Sequence, residues 1–153
     1  MEFGKIERDI HVQASPEVVF EVISSPAHLT EWWPDEAEVV ATPGATGTLV
    51  FRRPPPEETQ VVPITVVEAL PPRLFSFRWV YDDGEAPGPG NSLLVTFELE
   101  PSGEGTRVRM TETGFRERGW EVAVLEEAYR EHSEGWDHFI ARLGVYVARL
   151  VSS

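Results

Sequence analysis

"RLFSFRWVY", residues 73–81, alternates large apolar rings with small or charged side chains. In a strand, successive side chains point to opposite faces. Phe75, Phe77, Trp79 and Tyr81 then share one face, while Ser76, Arg78 and Val80 take the other. A row of four rings needs a wide apolar partner. The next run, "SLLVTFELE" (92–100), repeats the pattern, with Leu93, Val95, Phe97 and Leu99 against Thr96, Glu98 and Glu100. Between the two lies "DDGEAPGPGNS", a surface loop by composition. Two neighbouring strands with matching apolar faces predict an antiparallel sheet with one face buried.

Further strand-like runs surround this pair. "AEVVAT" (37–42), "TGTLVFRR" (46–53) and "TQVVPITVVEAL" (59–70) precede it, and "TRVRMTET" (106–113) follows. Pro, Gly, Asp or Asn clusters separate them, including "RRPPPEET" at 52–59. "KIERDIHV" (5–12) opens the series, placing Arg8 on the same face as Ile6, Ile10 and Val12. Two short helices follow. Ser15 and Pro16 start the first, with Val18, Val19, Val22 and Ile23 as its apolar stripe. Ser25 and Pro26 start the second, which Pro34 ends.

The apolar cover for the sheet comes at the C-terminus. Trp136, Phe139, Ile140, Leu143, Val147 and Leu150 recur at helical spacing, opposed by Glu134, Asp137, Arg142 and Arg149. A helix from about 130 to 151 would span roughly 30 Å at 1.5 Å per residue. Gly135 and Gly144 interrupt it and permit close packing against sheet or ligand. The expected class is α+β: a curved seven-strand antiparallel sheet wrapped around the long C-terminal helix, with two short helices after the first strand. No repeat or linker divides the chain, so residues 1–153 form one expected domain.

This order of elements, with "IERDIHVQASPEVVFEVISSPAHLTEWWP" (6–34), "GTLVF" (47–51) and "EHSEGWDHFIARLGVYV" (131–147), resembles the SRPBCC superfamily of START and birch-pollen-allergen-like helix-grip proteins. Within it, the chain is similar to the branch named for the C-terminal domain of the heat shock protein 90 ATPase activator. The resemblance implies a cavity between sheet and helix. Trp32 and Trp33 match the tryptophan-rich segment that ends the second short helix. Gly135 and Trp136 match the glycine–tryptophan pair entering the last helix. The superfamily includes ligand carriers, polyketide cyclases and aromatases, and co-chaperones. A co-chaperone activator carries a separate N-terminal domain, whereas this chain begins at its first strand, so chaperone stimulation is the least expected of the three.

Charge narrows the partners. A net −13 over 153 residues repels phosphate backbones and anionic membranes, so neither nucleic acid nor membrane insertion is expected. Without cysteine there is no thiolate chemistry, and no signal core or long apolar run appears; the expected location is cytoplasmic. The four histidines lack metal-ligand spacing, and neither metal nor cofactor is expected.

The adjacent tryptophans admit two readings. They gate a cavity, one ring inward and one at the entrance, or they pack into the core and shield a helix end. The expected cavity, on the order of 300–1,000 Å³, draws its lining from Trp33, Phe51, Trp79, Tyr81, Met110, Phe115, Trp120, Trp136 and Phe139. His132 shares a helix face with Trp136 and Phe139 and could supply a polar group. Glu112 alternates with Val108 and Met110 and so faces inward. It either forms a structural pair with Arg8 on the neighbouring terminal strand or serves a ligand's polar group. The expected function is binding of a small hydrophobic or aromatic molecule. A cyclase- or aromatase-like enzyme is the alternative, and a chaperone-directed interaction domain comes third.

Overall fold

A computed structural model describes residues 4–53, 58–81 and 86–152. The chain runs β1 (Lys5–Val12), α1 (Pro16–Ser24), α2 (Pro26–Trp32), β2 (Glu36–Glu38), β3 (Thr46–Phe51), β4 (Gln60–Leu70), β5 (Leu74–Trp79), β6 (Leu93–Ser102), β7 (Gly105–Thr113) and α3 (Val122–Ser152). All seven strands form one antiparallel sheet in the order β1-β7-β6-β5-β4-β3-β2. β2 to β7 are a meander, and β1 joins it beside β7, so the first and last strands are neighbours as expected.

Local chemistry sets the helix starts. Ser15 Oγ accepts from the Val18 N–H at 3.3 Å, and Pro16 occupies the first turn, where a missing N–H costs nothing. Ser25 ends α1 through its N–H to Glu21 O and begins α2 immediately. Gly47 in β3 is required by close approach: a Cβ there would lie 2.1 Å from the Glu38 carbonyl oxygen on β2.

The inner face of the sheet is the apolar one read from alternation. Phe75, Phe77 and Trp79 on β5, and Leu93, Val95, Phe97 and Leu99 on β6, are all buried. α3 lays Trp136, Ile140, Leu143 and Val147 against this surface, while α1 and α2 contribute Val19, Phe20, Ile23, Leu29 and Trp32. This is the helix-grip arrangement.

Four details differ from the sequence expectation. α3 begins at Val122 rather than near 130: residues 122–129 are helical although five of the eight are exposed, so no buried stripe marks them in the sequence. Trp32 and Trp33 are both buried: Trp32 is the last residue of α2, and Trp33 leaves the helix with φ −126° and ψ −94°, so the rings stack rather than diverge. Tyr81 is not the fourth member of the inner row. β5 ends at Trp79, Val80 takes φ 58°, and the Tyr81 hydroxyl meets Thr65 Oγ1 at 3.1 Å. Neither glycine marks a close approach to the sheet: a Cβ at Gly135 would meet nothing within 4 Å, and one at Gly144 would make only ordinary contact with Ile10 at 3.9 Å.

Candidate functional site

A cavity of about 850 Å³ opens between the β3–β5 side of the sheet and the middle of α3. Its walls carry six aromatic rings among the described residues: Trp33, Phe51, Trp79, Tyr81, Trp136 and Phe139. The helix supplies its share by spacing. His132, Gly135, Trp136 and Phe139 fall at i, i+3, i+4 and i+7, one face of α3. The sheet supplies Phe51 at the end of β3 and Trp79 at the end of β5. Trp33 links the two, its ring centroid 5.2 Å from both Trp79 and Trp136 and 5.9 Å from Phe51. Missing bulk at Gly135 leaves space that a side chain would have taken.

Behind this wall lies Glu112, with no solvent exposure. Its strand alternation points it inward with Val108 and Met110, opposite Ile6 on β1 and Val95 on β6. Three nitrogen donors hold it. Trp79 Nε1 donates to Oε2 at 2.7 Å, Trp136 Nε1 donates to Oε1 at 2.9 Å, and His132 Nδ1 lies 2.9 and 3.0 Å from the two oxygens. The indoles can only donate, so each Glu112 oxygen accepts one of them, and His132 Nδ1 lies against both oxygens. A buried carboxyl without partners would cost several kcal/mol, and these three N–H groups are its compensation. Each donor belongs to the cavity wall, so one carboxyl group ties β5, β7 and α3 together at the site.

His132 feels two opposed effects. Burial disfavours its charged form, while the hydrogen bond and charge of Glu112, with a smaller contribution from Glu131, favour it. The second group prevails, and the imidazole pKa is raised above its ordinary value. Phe115 and Trp79 press edge-on against the ring at 5.5 and 5.6 Å. Nδ1 is committed to Glu112, while Nε2 has no hydrogen-bond partner among the described residues.

Of the residues singled out in the sequence, Trp33, Phe51, Trp79, Tyr81, His132, Trp136 and Phe139 border the cavity. Glu112 touches it only through its three partners. Met110 and Phe115 are fully buried and are not part of the lining. Trp120 also stands outside it, half-buried with the Arg118 guanidinium 4.7 Å from its ring centroid.

The pairing of Arg8 with Glu112 does not form. In the β1–β7 register Arg8 faces Met110 and Glu112 faces Ile6. Arg8 instead reaches α3, with Nε 2.7 Å from Asp137 Oδ1 and Nη2 donating to Ser133 Oγ at 2.8 Å. β1 lies at the sheet edge beside the helix, so its inward charge escapes to the rim.

Sequence reasoning missed the basic lining. Arg52, Arg53, Arg118 and Arg142 border the cavity with the carboxyl groups of Asp35 and Glu131. Four guanidinium groups against two acids reverse the balance of a chain with 13 basic and 26 acidic residues. No periodic signal marks these arginines, because three of them lie on loops or strand ends. Among the described residues no cluster of three or more His, Cys, Asp or Glu could hold a metal ion, and no helix is long and apolar enough to cross a membrane.

Similar proteins extend this description. Comparison with curated proteins returns no match. Among solved structures, protein MLL2253 from Mesorhizobium loti superposes with a TM-score of 0.74 at 20% identity, covering 95% of this chain and 97% of that one. The Aha1 dimer from Colwellia psychrerythraea gives a TM-score of 0.69 at 20% identity over 92% of each chain. DynU16, a protein of the dynemicin biosynthetic locus, gives 0.71 at 20% identity, covering 95% of this chain and 47% of that one. At such identities the likeness is one of fold. Sequence carries the family further: residues 13–148 match the family described as Activator of Hsp90 ATPase homolog 1-like protein, nearly the whole length, from just before α1 to within four residues of the end of α3. The chain belongs to that family.

Proposed function

We propose that the protein binds a small hydrophobic or aromatic molecule in the cavity between the sheet and α3. The observation that carries this reading is an 850 Å³ space bordered by six aromatic rings, within the range of small-molecule sites. Rings of this kind offer large apolar area with few internal rotations to freeze, and the indoles of Trp79 and Trp136 are already fixed by Glu112. A preformed wall loses little entropy when a ligand arrives. Trp33, Trp79 and Trp136 all border the space, so tryptophan emission is a direct reporter. Titration with flavonoids, fatty acids and polyketide-like aromatics should quench or shift it and raise the melting temperature. A panel that changes neither would refute a carrier.

A cyclase- or aromatase-like enzyme is the second reading, and the His132–Glu112 contact favours it. An imidazole with one nitrogen held by a buried carboxyl and the other without a partner among the described residues is equipped to move a proton at a bound substrate. DynU16, from a biosynthetic locus, shares the fold. Turnover of a polyketide-like substrate that His132→Gln abolishes, with binding retained, would select this reading over simple carriage. The family's description also names an ATPase activator, and stimulation of a chaperone ATPase by the purified protein would select that role instead.

A further inference from the structure

Arg118 is the cavity residue whose chemistry the apolar reading leaves unused. It follows β7 on the segment before α3, and its guanidinium is held from two sides. Nη1 donates to the carbonyl oxygens of Val80, at 2.9 Å, and Asn91, and the Trp120 ring stacks against its carbon centre at 4.7 Å. These contacts fix its position without neutralising it. Among the described residues it has no carboxyl partner, its Nε is buried without a hydrogen bond, and Nη2 has no partner either. The two acids of the lining are placed elsewhere in its chemistry: Asp35 accepts the Arg52 backbone N–H at 2.6 Å, and Glu131 stands on α3. Arg52 is itself paired with Glu36, so it differs from Arg118 in already having a counter-charge.

A positioned, half-buried guanidinium with no carboxyl partner among the described residues, beside an aromatic cavity, is a site for an anion attached to an apolar body. Removing a guanidinium from bulk water without a partner is costly, and an incoming carboxylate offsets that cost with a charge-assisted hydrogen bond. We infer that the ligand is an amphipathic acid, an aromatic or aliphatic carboxylate whose apolar body lies against Trp33, Trp79 and Phe139 and whose anionic group meets Arg118. This rests on the reading of the cavity as a hydrophobic binding site and adds the ligand's charge. The net charge of −13 would repel such an acid in general, so its capture would depend on this local reversal of sign.

The test compares matched probes that differ only in charge: 2-naphthoate against 2-naphthamide, and decanoate against decanol, titrated by tryptophan fluorescence and calorimetry. The wild-type protein should bind each acid at least about ten-fold more tightly than its neutral counterpart, the scale of one charge-assisted hydrogen bond. Arg118→Met should collapse the ratio of acid to neutral affinity toward one, whatever it does to the two affinities together, and Arg118→Lys should keep part of that ratio. Equal binding of acid and neutral probe by the wild type would overturn the anionic assignment and leave the hydrophobic site standing. That comparison needs no variant, so a misfolded Arg118→Met cannot protect the idea. A preference that survives Arg118→Met would assign the anion to another cation and overturn the role of Arg118. Absence of binding by all four probes would refute the hydrophobic site itself.

Discussion

Trp32 and Trp33 are neighbours in sequence and stacked at 5.8 Å in space, yet they serve different halves of the interior. Trp32 closes the filled half. It is fully buried, gives its indole N–H to the Val22 carbonyl at 3.0 Å, and meets Phe97 edge-on at 6.3 Å beneath the two short helices. Trp33 borders the open half, packed against Trp79, Trp136 and Phe51 in the cavity wall. The difference is one of cover. α1 and α2 complete the packing on one side, while on the other α3 presents a glycine where a side chain would have filled space. The same residue type is core where it is enclosed and cavity wall where it is not.

The largest expected effect breaks the filled half. Trp32→Ala should cost about 3–5 kcal/mol, as for other large-to-small changes in a packed core. Phe139→Ala in the open half should cost roughly 1 kcal/mol, because its ring is only half-buried, while weakening ligand binding. Chemical denaturation of both variants checks the contrast, and equal losses would mean that the open half is as tightly packed as the filled one.

Glu112 ties the sheet to α3 behind the open half, and its replacement sharpens the comparison. Glu112→Gln keeps the shape but sets an amide NH2 against the N–H donors of Trp79, Trp136 or His132. Leaving a buried donor unsatisfied should cost about 1–3 kcal/mol. Thermal melts would read the loss, and a red-shifted tryptophan emission would locate it at the two indoles. An unchanged melt would remove Glu112 as the tie between sheet and helix.

A pH effect follows from His132. Its folded-state pKa is raised above the ordinary value, so the protonated form is favoured by folding. The stabilisation is complete below the unfolded pKa, about 6.5, and is lost as the pH rises through the higher folded value. Stability should therefore fall across that window in the wild type, and His132→Gln should flatten this component. Denaturation at a series of pH values measures it; a His132→Gln profile parallel to the wild type would contradict the assignment.

The smallest effect is a gain. Gly135→Ala adds a methyl group to open space on α3 and should stabilise by up to ~1 kcal/mol through helix propensity. The added methyl also intrudes on the cavity, so a bulky ligand should bind less well. A destabilised variant would mean that the helix is closer to the sheet at this point than an open cavity allows.

The inward charges carry the lesson about what a pattern can predict. Alternation along β1 and β7 was enough to turn Arg8 and Glu112 to the inner face, since a strand's side chains have a period of two. It could not supply their partners. Register set the two residues two cross-strand pairs apart, and α3, distant in sequence, offered Asp137 and Ser133 to one and His132 and Trp136 to the other. The aromatic lining was legible for the same reason that Glu112 was: large rings at strand or helix spacing mark a buried face. The same rule also led to Met110 and Phe115, which are buried but do not border the cavity, because burial alone does not distinguish a filled core from a wall.

By itself the sequence determined the α+β class, the order of elements, the antiparallel sheet and the apolar faces that close it. These follow from periodicity, capping residues and turn composition, all of which act over a few neighbouring residues. Only the tertiary structure decided where Trp33 turns after the helix ends, where the strand containing Trp79 stops before Tyr81, and that Arg118 comes to the edge of an aromatic cavity with no carboxyl partner among the described residues. Those outcomes depend on backbone angles at single residues and on contacts between segments far apart in the chain. Neither leaves a periodic trace, because the physical interaction that fixes each position lies across space rather than along the sequence.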